Sequence, residues 1–191
     1  MTTTDTTFQI EEIIPVTFPA WRALRLRALA GHPEAFLQTP EEYGAIPPDE
    51  ACDQFFSRLG PRSRVWGAFA EDGSLMGMTG LYCDDGVKMA HRAHIWGVYV
   101  APEARGHGVG EALMRHAIAF AQGLDGVLQA DLKVASGNER AKRLYQRLGF
   151  LRYGIEPRVL IVEGVVHDED LMVLPFDDYP ILATRFPRAS Q

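Results

Sequence analysis

The run Arg105-Gly106-His107-Gly108-Val109-Gly110 constrains the fold more than any other stretch of the chain, because of what stands on either side of it. Before it, Ile95-Trp96-Gly97-Val98-Tyr99-Val100 reads as a strand, which Pro102 ends because proline cannot extend a ladder. After it, Leu113, Met114, Ala117, Phe120 and Ala121 share one side of a helix from Glu111 to about Gln122, and Val127 to Val134 reads as the next strand. A strand, helix, strand order joins parallel neighbours by a crossover, since antiparallel neighbours need only a hairpin. Three glycines at such a turn let the backbone approach an anion, and the unpaired first-turn N–H groups of the helix point at it. Arg105 adds a fork of donors suited to phosphate oxygens. A phosphate-bearing ligand is therefore expected over Gly106 to Glu111. A bare turn would need fewer glycines.

The flanks indicate the rest of the sheet. Phe8 to Ile14 reads as a strand stopped by Pro15, and Trp21, Leu24 and Ala28 mark a helix stopped by Gly31 and His32-Pro33. Residues 41–48 read as loop and Glu50 to Leu59 as a short helix. Val65 to Ala70 and Leu75 to Cys83 form a hairpin through Glu71-Asp72-Gly73-Ser74, and Asp84-Asp85-Gly86 turns the chain into the strand ending at Val100. Beyond Val134, Asn138 opens a helix carrying Ala141, Leu144, Tyr145 and Leu148, with Gly149 as its stop. Val159 to Glu163 and Leu171 to Leu174 close the pattern. The expectation is an α/β fold: a mixed, mostly antiparallel sheet with one parallel, splayed strand pair and flanking helices. Without a repeat or a linker, the 191 residues read as a single domain over 1–191, with its core at about 8–174 and a polar tail at 177–191.

Composition narrows the ligand. The net charge of -6 argues against a nucleic-acid binder. It is unevenly spread: residues 86–152 carry +5, residues 1–85 carry -7 and residues 153–191 carry -4. A basic segment inside an acidic chain suits an anion of limited size. Cys52 and Cys83 have neither disulfide nor zinc spacing, so no metal is expected and both read as core thiols. The polar N-terminus lacks the apolar stretch of a signal peptide, and no apolar run reaches the roughly 20 residues of a membrane helix. A soluble, cytoplasmic monomer or homodimer without membrane contact is expected.

Known phosphate motifs fit poorly. A Walker A loop needs Lys and then Ser or Thr where this chain has Glu111-Ala112. A dinucleotide fingerprint needs glycine at 111, and its acidic partner would be Asp131 in mid-strand.

The spacing Val100, Pro102, Arg105-x-x-Gly108-x-Gly110, followed by Asn138, Ala141, Tyr145 and Gly149-Phe150, resembles the acetyl-CoA-binding core of the GNAT superfamily of N-acetyltransferases. That part runs from about Ala93 to Phe150, and Pro33-Glu34-Ala35-Phe36 also looks like bacterial members. The resemblance implies an acyltransferase that moves acetyl from acetyl-CoA to a primary amine by direct attack through a tetrahedral intermediate. It places the pyrophosphate on the amides of Gly106, His107, Gly108, Val109, Gly110 and Glu111, and the pantetheine arm along Trp96 to Val100 beside Val98 and Val100. Arg140, Lys142 and Arg143 would lie near the 3′-phosphate, although solvated helix charges read the same way. It assigns the oxyanion to the amide of Val98 and the general acid to Tyr145, a position that a core aromatic would occupy equally well. Asn138 has two compatible roles, as helix cap and as cofactor partner.

For the base, strand alternation puts His94, Trp96, Val98 and Val100 on one face, and His94 stands where some family members carry a glutamate. The acidic flanks suggest a cationic acceptor. Two rivals remain: a non-catalytic acyl-CoA-binding regulatory domain, against which Tyr145 and Asn138 argue, and a dinucleotide-dependent oxidoreductase, disfavoured by Glu111.

Overall fold

The computed structural model describes residues 7–177, so the expected tail lies, from residue 178 on, outside the described residues. Seven strands form one sheet: β1 (Phe8–Glu12), β2 (Ser63–Ala70), β3 (Leu75–Cys83), β4 (Arg92–Val100), β5 (Gln129–Ala135), β6 (Leu151–Val162) and β7 (Val165–Pro175). Their order is β1-β2-β3-β4-β5-β7-β6, and among these neighbours β4–β5 is the parallel pair. The expected mixed sheet is thus present. The β2–β3 turn forms as its Asp-Gly pair predicts: Asp72 Oδ1 accepts from the Ser74 amide at 2.9 Å and Gly73 takes φ +81°.

Helices cover both faces. α1 (Phe18–Gly31) buries Phe18, Trp21, Leu24, Ala28 and Leu29, while α4 (Val109–Gln122) buries Leu113, Met114, Ala117 and Ala121 on the opposite side. The two faces show in the tryptophans. Trp66 of β2 meets His116 and Phe120 of α4 edge-on at 5.2 and 5.1 Å, whereas Trp96 of β4 shares a cavity wall with Trp21 of α1. α5 (Glu139–Arg147) is tied to β7 by Asp170, which is 3% exposed and meets Lys142 of α5 at 3.6 Å, Ser136 Oγ just before the helix at 2.7 Å and the Arg152 guanidinium of β6 at 2.9 Å.

Three expectations change. The loop expected at 41–48 contains α2 (Pro40–Gly44), which a capping box starts: the Glu42 amide donates to Thr39 Oγ1 at 3.1 Å and the Thr39 amide to Glu42 Oε2 at 2.9 Å. α3 (Pro48–Ser57) begins before Glu50, because proline is well tolerated in a helix's first turn. The closing strands are far longer than expected, and Glu163 is their turn: it has φ +49° and Gly164 φ +79°, the paired positive values of a tight hairpin.

β4 positions the site through two irregularities. It pairs with β5 only from Arg92 to His94, opposite Gln129 to Asp131, and the strands then part. Farther on, Gly97 adopts φ +64° and the register with β3 slips between Met78 and Gly80, leaving Gly97 and Val98 without register partners. An extra residue on one strand exchanges the faces beyond it. Trp96 therefore packs over Gly80 on the α1 face and Tyr99 meets His32 there, at 6.0 Å between ring centroids. Val100 instead faces α4, with its Cγ2 3.4 Å from the place a Cβ on Gly110 would take. The expected single face of His94, Trp96, Val98 and Val100 is corrected accordingly.

Candidate active site

Where β4 and β5 part, the chain leaves a cleft of about 750 Å³. The strand side is formed by Val98, Tyr99 and Val100, and the helical side by Asn138, Ala141, Leu144 and Tyr145 of α5. Between them stands the glycine-rich turn. Gly106 and Gly108 take φ +93° and +78°, and a Cβ on either would meet nothing within 4 Å. Both are held in a conformation that other residues avoid, beside open space. Gly108 caps α4 without a side chain, so the amides of Val109, Gly110 and Glu111 have no helical carbonyl to bond and face the cleft. These features suit a diphosphate on a long ligand: a concentration of free N–H groups, no side chain in the way, and two unpaired strand edges for the remainder.

Several predicted side chains serve this wall indirectly. Arg105 donates from Nε to the Val100 carbonyl at 3.1 Å and lies 3.0 Å from His32 Nε2, so it braces the turn across the cleft. Glu111 forms an ion pair with Arg115 at 2.8 Å along α4. Asn138 Oδ1 accepts from the Ala141 amide at 3.1 Å, which fixes the start of α5 and confirms its role as a cap. Arg143 lines the cleft with Arg140 and Arg147, whereas Lys142 is removed from it by the Ser136 carbonyl at 2.6 Å and Glu139 at 2.5 Å. His107 is absent from the cleft's lining, although its backbone belongs to the turn. Tyr145 is 6% exposed beside Phe150, and burial pushes its phenol well above the usual value near 10. The hydroxyl is thus a neutral donor throughout the neutral range.

His94 occupies a different place from the one its strand position suggests. Its Nδ1 lies 2.5 Å from Asp131 and its Nε2 2.8 Å from Asp84, and Arg92 adds a second bond to Asp131 at 3.1 Å. The Asp131 hydrogen bond raises the imidazole pKa against the opposing effect of burial, and Asp84 adds to the rise. Both ring nitrogens thus stand against carboxylates, one on the neighbouring strand and one in the turn after β3. His94 also lines neither cavity. The cluster stands at the last paired residues of β4 and β5, where it fixes the point at which the strands part.

A second cavity, of about 720 Å³, opens on the α1 face. Trp96 lines it and Val98 lines the cleft, so Gly97 in the bulge stands between the two spaces. Its walls come from α1, α2, α3 and β2 to β4, including Trp21, Tyr43, Phe55 and Tyr82. The charged residues lining it are Arg25, Arg58, Arg62 and Asp85, a positive balance. The acidic total of residues 1–85 does not describe it: of those carboxylates Asp85 lines the cavity, while others stand elsewhere, Glu12 on Arg64, Glu42 in the capping box and Asp72 in its turn. The positive balance of this lining does not match the cationic acceptor expected from that total.

The family model described as Acetyltransferase (GNAT) family matches residues 26–150, a span containing both the cleft and most of the second cavity. The chain belongs to the GNAT acetyltransferase family. Its relatives include mycothiol acetyltransferase from Thermobispora bispora, 32% identical over 72% of this chain and 44% of that protein. The chain thus spans less than half of the length of that relative. A solved GCN5-related N-acetyltransferase from Kribbella flavida is 26% identical, with a TM-score of 0.74 over 88% of this chain and 97% of its own. An acetyltransferase from Salmonella typhimurium, solved with its cofactor acetyl-CoA, shares the fold at a TM-score of 0.77 and 20% identity over 91% of this chain and 96% of its own. Sequence reasoning on this GNAT chain missed Arg25, the two carboxylates around His94 and the bulge. A glycine inside the apolar run 95–100 was the available signal for the bulge.

Proposed function

We propose that the protein transfers acetyl from acetyl-CoA to a primary amine by direct attack on the thioester. The observation that carries this reading is the cleft itself. Two open left-handed glycines, three free helix amides, a parted strand pair and a buried phenol all face one space.

Acetyl-CoA would lie with its diphosphate on the amides of Gly106 to Glu111 and its arm beside Val98 to Val100, with Asn138 and Arg143 along the opposite side. The Val98 amide, in the bulge and beyond the β5 pairing, is suited to receive the developing oxyanion; a donor so placed is worth roughly 3 kcal/mol. Tyr145 donates its hydroxyl hydrogen to the departing sulfur. With its pKa so raised, the phenol stabilises the thiolate by hydrogen bonding, and the amine supplies the proton that finally rests on the thiol. The amine enters through the second cavity as the free base. His94, which ties β4 to Asp131 of β5 and lines neither cavity, does not accept that proton.

Thiol release from acetyl-CoA against a panel of amines tests the proposal. Amine-dependent release is expected, with Tyr145→Phe losing turnover while keeping acetyl-CoA affinity. Tight acetyl-CoA binding without release for any amine would favour a non-catalytic binding domain.

A further inference from the structure

We propose that the second cavity takes an amine carrying its own carboxylate close to the nucleophilic nitrogen, on an apolar or aromatic body: an α-amino acid or a close analogue. The inference rests on the acetyl-transfer reading for which end of the molecule faces the cleft.

The arginines of α1 provide the argument. Arg22 donates to the Ile46 carbonyl at 2.7 Å, and Arg27 meets Glu103 through two bonds of 2.6 and 2.7 Å. Arg25, between them in sequence, has neither a carboxylate nor a carbonyl partner among the described residues. Its guanidinium carbon sits 4.8 Å from the centroid of Phe36, a residue of the cleft, and its own side chain lines the second cavity. Its Nη1 lies 3.7 Å from the place a Cβ on Gly97 would take. Burial lowers its pKa, with the Tyr43 phenol opposing, yet a guanidinium does not lose its proton at neutral pH. A desolvated cation of this kind is costly until an anion meets it.

The other cations of the cavity have different positions. Arg62 is a strut, donating to the carbonyls of Asp125 at 3.2 Å and Ala90 at 2.5 Å. Arg58 is exposed at the end of α3. Asp85 is the carboxylate of the lining, and no ion pair joins it to Arg25 among the described residues.

Position then limits the ligand. Gly97 separates the two spaces, and Arg25 Nη1 is 3.7 Å from its Cβ position, so an anion held by Arg25 lies beside the bulge. Only a carboxylate a bond or two from the amine satisfies both ends. The body of the acceptor is left to Phe55, Trp96 and Ile46, which favour an apolar side chain.

The test compares matched pairs that differ in the carboxylate alone: phenylalanine with phenethylamine, leucine with isoamylamine, and methionine with 3-methylthiopropylamine. Binding is followed by tryptophan fluorescence, since Trp21 and Trp96 line the cavity. For at least one pair, the amino acid is expected to bind roughly 10–100-fold more tightly than its amine, the range of a hydrogen-bonded charge. In Arg25→Gln the two members should fall within about threefold of each other, through weaker amino-acid binding. Equal or tighter binding of all three amines overturns the proposal, as does a preference that survives Arg25→Gln or an absence of binding by all six compounds. The comparison within the wild-type protein stands even if the variant fails to fold. Thiol release from acetyl-CoA, run in parallel, separates the two readings: a carboxylate preference without release leaves this inference standing and removes acetyl transfer.

Discussion

The two cavities are nearly equal in volume, at about 750 and 720 Å³, yet they are built in opposite ways. The cleft is largely backbone: free helix amides, open glycines and unpaired strand edges, contributed mainly by the continuous stretch from Val98 to Arg147. The second cavity is largely side chain, assembled from three helices and three strands. A site made of backbone binds what every homologous site can bind, because amides are the same whatever the residue. A site made of side chains is redefined by each substitution. The difference explains how one fold can keep a common donor and change its acceptor, and it also sorts what substitutions should do.

The largest effect is expected from Tyr145→Phe, in the cleft. Loss of the donor should lower kcat by roughly 100-fold or more while acetyl-CoA affinity, measured by calorimetry, stays within about twofold. A variant with unimpaired turnover would remove Tyr145 from the chemistry and leave it as a core residue.

Next comes the cluster where the strands part. His94→Gln removes the imidazole that Asp84 and Asp131 share, leaving Arg92 on Asp131 alone, and should cost about 2–3 kcal/mol of stability near pH 6. The imidazole pKa is raised by folding, so its contribution is fully present below the unfolded value near 6.5 and is lost as pH rises through the higher folded value. Thermal unfolding of both proteins from pH 6 to 9 should show the gap between them narrowing upward. A constant gap would mean that His94 serves by packing alone.

Gly108→Ala addresses the claim that the cleft depends on backbone. With φ +78° the alanine is strained by about 1–2 kcal/mol, and its methyl group enters the open space beside the free amides. The expected result is a rise of about tenfold in the KM for acetyl-CoA, with the acceptor KM unchanged. An equal rise in both would show that the cavities are not separable. The smallest effect belongs to Arg58→Gln, at the exposed rim of the acceptor cavity: a change of about twofold in acceptor KM, removed by 0.5 M salt, and none in that for acetyl-CoA.

The same contrast governs what could be read from the sequence. The cleft was legible because its parts are local: glycines in one turn, a proline after one strand, an asparagine and a tyrosine seven residues apart on one helix. The parallel pair followed from the order of elements alone. The second cavity was not legible, because Arg25, Tyr43, Phe55 and Trp96 are far apart in the chain, and nothing in their spacing says that they meet. Net charge says little about this cavity for the same reason: a sum over 85 residues carries no record of where its carboxylates stand. His94 misled differently. Its position on the strand was readable, but Asp131 comes from the neighbouring strand and Asp84 from a turn, and those partners determine its protonation.

The bulge at Gly97 also says which part of β4 is surplus to the sheet. Gly97 and Val98 together stand opposite Thr79 alone, while Trp96, Tyr99 and Val100 keep their partners on either side. Deleting Gly97 would therefore leave Tyr99 and Val100 in their present register and on their present sides, and would remove only the positive-φ residue at which the two spaces meet. The sheet needs eight residues of β4 for its ladder; the ninth belongs to the site.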